Sequence, residues 1–223
     1  MEKRKLLIWV VAILLIIHIP LFLYLLNFML TAFNENYYKS EFQRYGIYNK
    51  FPNEDVGKIN HDLLSYLKND KTQNLVNIDF FNERERGHLL DVKNLIHKFI
   101  LFFYIAVFDI IFLIIILVYL AKKEIKKYIP IILIWGGVLN FVGASLFYLL
   151  IKFNFNWIFG LFHKTFFKPG SWIFDTNIVE LYPSGFFYDV ASKIVLNALI
   201  MAFMVIIIGL CLYKSIKNKK IYK

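Results

Sequence analysis

The sequence predicts an all-α polytopic membrane protein: four transmembrane helices with two extracytoplasmic, largely helical segments lying over or in the outer leaflet. Three observations lead there. Of 223 residues, 59% are hydrophobic and 19% aromatic, and the mean hydropathy is +0.55, too apolar for a soluble domain of this length. The excess sits in four runs, 6–30, 99–120, 129–151 and 194–212, each near or above the roughly 20 residues that span a bilayer. The charges then orient those runs.

Lys3, Arg4 and Lys5 precede the first run, Lys122, Lys123, Lys126 and Lys127 fill the link between the second and third, and Lys214, Lys217, Lys219, Lys220 and Lys223 follow the fourth. These short segments hold twelve basic residues against two acidic ones, Glu2 and Glu124, which accounts for the whole formal charge of +10. The two longer connections, 31–98 and 152–193, are close to neutral. By the positive-inside rule both termini are cytoplasmic and both long segments face outward. The basic excess is thus topological, and no nucleic-acid partner is expected. A multi-pass membrane protein follows, with residues 1–223 as a single membrane domain. The only cysteine, Cys211, permits no intramolecular disulfide and no cysteine-rich metal site. The first run is too long for a signal-peptide core and is expected to remain as an anchor.

Taken in order, the first run carries His18 and Pro20, so a kink is expected, with His18 bonded to a neighbouring helix. Trp9 and Tyr24 are candidates for interfacial or bundle packing. The first outer segment contains two helical pieces, 35–45 and 54–68. The second shows Val56, Ile59, Leu63, Leu64 and Leu67 at amphipathic spacing after a Pro52-Asn53 start signal. His61 is expected on its polar side. A turn at Asn69, Asp70 and Lys71 precedes an apolar stretch over 75–81.

Residues 80–92, FFNERERGHLLDV, concentrate charge around one histidine. On a helix Arg84, Glu85 and Asp91 fall on the side of His88, at i−4, i−3 and i+3. Carboxylates so placed orient the imidazole and favour its charged form. A solvated charged face is the plainer alternative. The helical pattern runs unbroken into the second span, which puts His88 on the order of 16 Å before Phe99, at headgroup depth. His97 is expected at the membrane interface. Asp109, inside the second run, needs a partner, with Asn140, Ser145 and His18 as candidates. Gly136, Gly137, Gly143, Ala144 and Ser145 in the third run allow close helix approach.

The second outer segment packs nine aromatics around His163, among them Phe159, Phe162, Phe166, Phe167, Trp172 and Phe174. On a helix Phe159, Phe166 and Phe167 lie at i−4, i+3 and i+4 of that histidine. An apolar setting keeps an imidazole neutral and able to take a proton. The alternative is an aromatic belt helix with an incidental histidine. Pro169-Gly170 turns the chain ahead of Asp175.

Three stretches together resemble one bacterial family. They are Phe81, Glu83, Arg84, Glu85, His88, Leu89, Asp91, Val92 and Lys93; Leu161, Phe162, His163, Phe166 and Phe167; and Gly170 to Asp175 followed by Leu181, Tyr182 and Pro183. In this order and topology they resemble the lipoprotein intramolecular transacylase family, Lit, and the likeness covers essentially the whole chain. The resemblance implies an acyltransferase of Gram-positive bacteria. It would move the sn-2 acyl chain of an S-diacylglyceryl-cysteine onto the free α-amine of a lipoprotein, leaving an N-acyl, S-monoacylglyceryl (lyso) form. Its catalytic pair would be His88 and His163.

Residue chemistry is compatible with that reaction. His163 is expected as base and His88, flanked by Glu85 and Asp91, as acid or oxyanion donor, or the reverse. Glu83, Arg84, Asp175 and Tyr45 are supporting candidates, and Phe159, Phe162, Phe166 and Trp172 acyl-chain contacts. Expected partners are diacylglyceryl lipoproteins and membrane lipid, acting on a monomer, without metal or other cofactor. Competing readings are a non-catalytic membrane scaffold or chaperone and a metal-dependent lipid hydrolase using both histidines with Glu83 or Asp175. A serine enzyme built on Ser171 lacks the G-x-S-x-G setting. A transporter would want more polar residues at mid-membrane than His18 and Asp109.

Overall fold

A computed structural model describes residues 2–69 and 78–221, with side chains for 2–69 and 78–218. Among them every regular element is helical: α1 Glu2–Ala32, α2 Glu35–Arg44, α3 Ile47–Lys50, α4 Val56–Lys68, α5 Glu83–Ala121, α6 Ile125–Phe166, α7 Asn177–Leu181 and α8 Ser184–Ile221, with short 3-10 turns at Ile78–Phe80 and Lys122–Glu124. The turn expected at residues 69–71 lies largely outside the described residues, as does the start, 75–77, of the stretch 75–81; Asn69 itself caps α4.

Three helical runs are long and apolar enough to cross a membrane: Glu2–Ala32, Glu83–Phe166 and Ser184–Asn218. The middle run comprises α5, the turn Lys122–Glu124 and α6. Its 84 residues greatly exceed what one crossing requires. Lys122 takes a left-handed φ of 48° there, a conformation that stops helix propagation.

The local signals act as chemistry dictates. Asn34 Oδ1 accepts from Tyr37 N to cap α2, and Asp55 Oδ1 accepts from Lys58 N to cap α4. Gly46, with φ 64°, lets α2 end and α3 begin at once. α5 runs unbroken through the charged stretch, as its pattern requires. α6 departs from expectation: the helix does not stop at 151 but continues through Asn154, where the backbone leaves helical geometry (φ −155°, ψ 65°). Asn154 Oδ1 accepts from Trp157 N at 3.2 Å, so the aromatic part of α6 begins with its own cap.

The chain divides into two compact units. The first holds Met1–Phe28, Phe102–Leu149 and Ile194–Lys223. Ile8, Val11, Ala12 and Leu15 bury against Leu113, Leu117, Ala121, Tyr128 and Ile132, and Trp9 meets Tyr128 edge-on. Phe108, Ile111, Ile115, Phe203 and Ile208 stay exposed, the side expected to meet lipid. Two of its polar groups find partners: Asn140 Nδ2 donates to Ala198 O at 2.9 Å, and Asp109 lies 3.6 Å from His18. Backbones approach closely at Gly137, where a Cβ would stand 2.6 Å from Ile206 Cγ1 and 3.1 Å from Ala202 O. Gly137→Leu is therefore expected to destabilise by about 1–3 kcal/mol through overpacking, read as a lower midpoint of thermal unfolding in detergent.

The second unit holds Met29–Leu101 and Leu150–Lys193. Its core joins Phe42, Ile47, Val56, Ile59, Leu63 and Leu67 to Phe80, Phe81, Leu89, Leu181, Tyr182 and Phe186. Both histidines singled out above lie in this unit.

Candidate functional site

Helix α5 starts with a reciprocal cap. Asn82 Oδ1 accepts from Glu85 N, and Glu85 Oε2 accepts from Asn82 N. The other oxygen, Oε1, accepts from Thr176 Oγ1 at 2.6 Å and Ile178 N at 2.7 Å, at the start of α7. One carboxylate, 1% exposed, thereby closes two helix N-termini. Arg84 reaches in the same direction, donating to Gly170 O and Ile173 O and lying over the Phe174 ring. Together these bonds hold the 170–178 stretch against the first turns of α5.

One turn further along α5, His88 projects into an aromatic pocket. It is 8% exposed and His163 is 9% exposed, and the two rings stack with centroids 6.2 Å apart. Phe167 lies against both imidazoles, at 4.8 Å and 5.5 Å. Phe174 completes the wall on His88, and Phe159, Phe162 and Trp172 complete it on His163, at 4.3, 5.5 and 4.7 Å.

Hydrogen bonds fix one tautomer. His163 Nδ1 lies 2.7 Å from Phe159 O. A carbonyl only accepts, so Nδ1 carries the proton and Nε2 presents a lone pair. His88 Nδ1 is buried without a partner, and so is Trp172 Nε1. Orphaned buried polar atoms cost about 1–3 kcal/mol each, which makes this pair conspicuous in an otherwise apolar wall.

Burial, with a smaller push from His163, lowers the His88 pKa to about 4, and Asp91 only partly opposes this. Burial also lowers that of His163, partly countered by its bond to Phe159 O. The expectation that flanking carboxylates favour a charged His88 is thereby corrected: Glu85 is turned to Asn82 N, Thr176 Oγ1 and Ile178 N, and desolvation outweighs the single remaining charge. The stability consequence has a definite sign. Both histidines prefer to be neutral when folded, so their contribution is full above the unfolded value of about 6.5 and falls as pH drops toward 4. His88→Gln is expected to flatten part of that loss, leaving the His163 share, in thermal-unfolding midpoints measured across pH 4–7.

The other singled-out residues are placed less centrally. Asp91 is half-buried, while Glu83 and Asp175 are exposed. Phe162 and Phe166 are exposed and pack on each other. The Tyr45 hydroxyl donates to Asp189, which also pairs with Arg44 at 3.0 Å, so it serves a separate ionic cluster that includes buried Glu41. Phe167 and Phe174 were not among the expected substrate contacts, although the i+4 spacing from His163 marked the first. Among the described residues no three His, Cys, Asp or Glu side chains converge in a way suited to a metal ion.

The fold and site define a membrane-integral helical protein whose paired, buried, neutral imidazoles sit beside apolar walls. The chain belongs to the family described as lipoprotein intramolecular transacylase Lit, whose model matches residues 13–187. Among solved structures it is similar to the in meso structure of the membrane-integral Lit from Bacillus cereus, with TM-score 0.80, 25% identity, and coverage of 98% of this chain and 100% of that one. Two further structures of that protein, with a histidine mutated to arginine or to alanine, share the fold: TM-scores are 0.78 and 0.79, both at 22% identity. They cover 100% and 97% of this chain, and 97% and 98% of theirs. No curated protein matches.

Proposed function

We propose that this protein transfers the sn-2 acyl chain of an S-diacylglyceryl-cysteine to the free α-amine of the same lipoprotein N-terminus, giving the N-acyl lyso form. Membership of the Lit family supports the reaction class. The observation that carries the mechanism is the His163 tautomer: Nδ1–H is held by Phe159 O, so Nε2 is the atom available to take a proton.

An α-ammonium with a pKa near 8 must lose a proton before it attacks an ester. The freed amine nitrogen bonds to the sn-2 carbonyl carbon, and His163 Nε2 accepts the proton that nitrogen sheds. The tetrahedral adduct then breaks its bond to the sn-2 glyceryl oxygen, which takes that proton back from His163. His88, neutral beside it, acts as an N–H donor that polarises rather than as an imidazolium. Amine and ester belong to one molecule, so fixed geometry supplies much of the rate. The apolar rings of Phe159, Phe162, Phe166 and Trp172 hold acyl chain. Arg84 positions the 170–174 stretch, and no metal is required.

In this reading the middle helical run makes two crossings, for four in all, with both termini in the cytoplasm. The site then faces the outer leaflet, where matured lipoproteins reside, and a monomer suffices. The charge asymmetry of the connections supports the orientation.

The test is mass spectrometry of a reporter lipoprotein's N-terminal peptide, co-expressed in a host that leaves the diacylglyceryl cysteine unacylated. An N-acyl lyso peptide of unchanged total mass is expected. An unmodified diacylglyceryl peptide would sink the proposal.

A further inference from the structure

Trp172 is the member of the aromatic wall with a polar atom to offer. Its ring centroid lies 4.7 Å from that of His163, and its Nε1 is buried with no acceptor. An indole N–H can only donate, and buried donors in folded proteins are ordinarily bonded. Phe159, Phe162, Phe167 and Phe174 around the two imidazoles carry no acceptor, and the Nδ1–H of His163 is already committed to Phe159 O. The backbone on either side of Trp172 is held by Arg84 through Gly170 O and Ile173 O, so the donor is preset rather than loose. A second orphan, His88 Nδ1, is buried in the same cluster. A carbonyl oxygen beside His163 Nε2 would give the indole N–H the acceptor that no protein group among the described residues supplies.

We propose that Trp172 is a catalytic residue whose indole N–H donates to the carbonyl oxygen of the sn-2 ester and to the oxyanion that oxygen becomes. This rests on the transacylase reading above and adds to it a role other than acyl-chain packing. As the amine nitrogen bonds to the carbonyl carbon, the π pair moves onto oxygen and the N–H···O bond strengthens. When the bond from that carbon to the glyceryl oxygen breaks, the pair returns and the amide forms. The proton released by the amine travels through His163 to the glyceryl oxygen, so charge and atoms balance with no co-reactant. A donor aimed at developing charge in a water-poor site needs no reorganisation, which is why its effect falls on the chemical step.

The experiment replaces Trp172 with 3-benzothienylalanine, which keeps the bicyclic shape and puts sulfur where the N–H was, alongside Trp172→Phe and His163→Ala. Purified proteins act on a diacylglyceryl reporter lipopeptide in mixed micelles, and rates are taken per folded molecule, judged by thermal midpoint. The expected result is a kcat lower by about 10²- to 10³-fold for the sulfur isostere, with KM and thermal midpoint near wild type. Wild-type kcat in the isostere would overturn the proposal and leave Trp172 as packing, as would a change confined to KM. If the wild-type protein forms no lyso product, the functional reading itself fails. If wild type is active, His163→Ala is inactive and the isostere is unimpaired, only the Trp172 role is lost.

Discussion

Alanine at position 163 is expected to lower formation of the lyso product by about 10²- to 10⁴-fold, the usual contribution of a general base. The argument does not depend on a charged imidazole. His163 is buried among Phe159, Phe162, Phe167 and Trp172 and its pKa is depressed, so it is neutral and ready at neutral pH. His163→Gln separates chemistry from packing: it fills most of the space and can still donate to Phe159 O, but offers no comparable base. Both variants are expected to be inactive at matched membrane levels in the reporter assay, whereas His88→Ala, which removes a polarising donor, should retain more activity. A His163→Gln protein of wild-type rate would move the base elsewhere.

The largest effect on stability is expected at Glu85. Its carboxylate accepts from Asn82 N, Thr176 Oγ1 and Ile178 N while almost completely buried. Alanine would leave two partly buried backbone donors and a hydroxyl unmatched. Breaking such a charged network costs about 3–5 kcal/mol, much of the stability of an ordinary domain. Glu85→Gln keeps the shape but loses the charge, and should fall between. Thermal unfolding in detergent gives the ranking wild type, Gln, Ala. Hydrogen exchange should localise the loss to the starts of α5 and α7; a uniform change across the protein would contradict this account.

The class of protein was legible because apolar length and basic flanks follow from bilayer thickness and charge alone, and these need no tertiary information. The two histidines stood out for a similar reason: each sits in a short window whose composition is unusual by itself. What escaped sequence reasoning was which partners the neighbouring side chains choose. Helical spacing places Glu85 on the face of His88, yet its oxygens turn to donors at Asn82, Thr176 and Ile178, two of them some 91 to 93 residues away. Tyr45 likewise bonds to Asp189, across a separation of 144. Periodicity sees neighbours within a turn; a competition between a nearby imidazole and distant amides is decided only by the fold. The protonation of His88 reversed for the same reason, since burial is a tertiary property. The passage of α6 through Asn154 was also hidden, because an asparagine after a span reads equally as an end or as a new beginning.

Apart from the Thr176 hydroxyl, which bonds to Glu85, the bonds that hold the 170–178 stretch ask little of its own side chains. Arg84 binds the carbonyls of Gly170 and Ile173, and Glu85 receives the amide of Ile178. Each of those partners is main chain, which every residue except proline supplies in full. The side chains at positions 173 and 178 are therefore free to drift as far as these bonds are concerned, while an exchange at 84 or 85 removes the tie outright. Alignments of relatives would then display an acidic–basic pair facing varied side chains at positions 173 and 178, and covariation of the pair with those two positions would be faint although they touch. A contact map inferred from covariation alone would miss the attachment that keeps Trp172 beside His163.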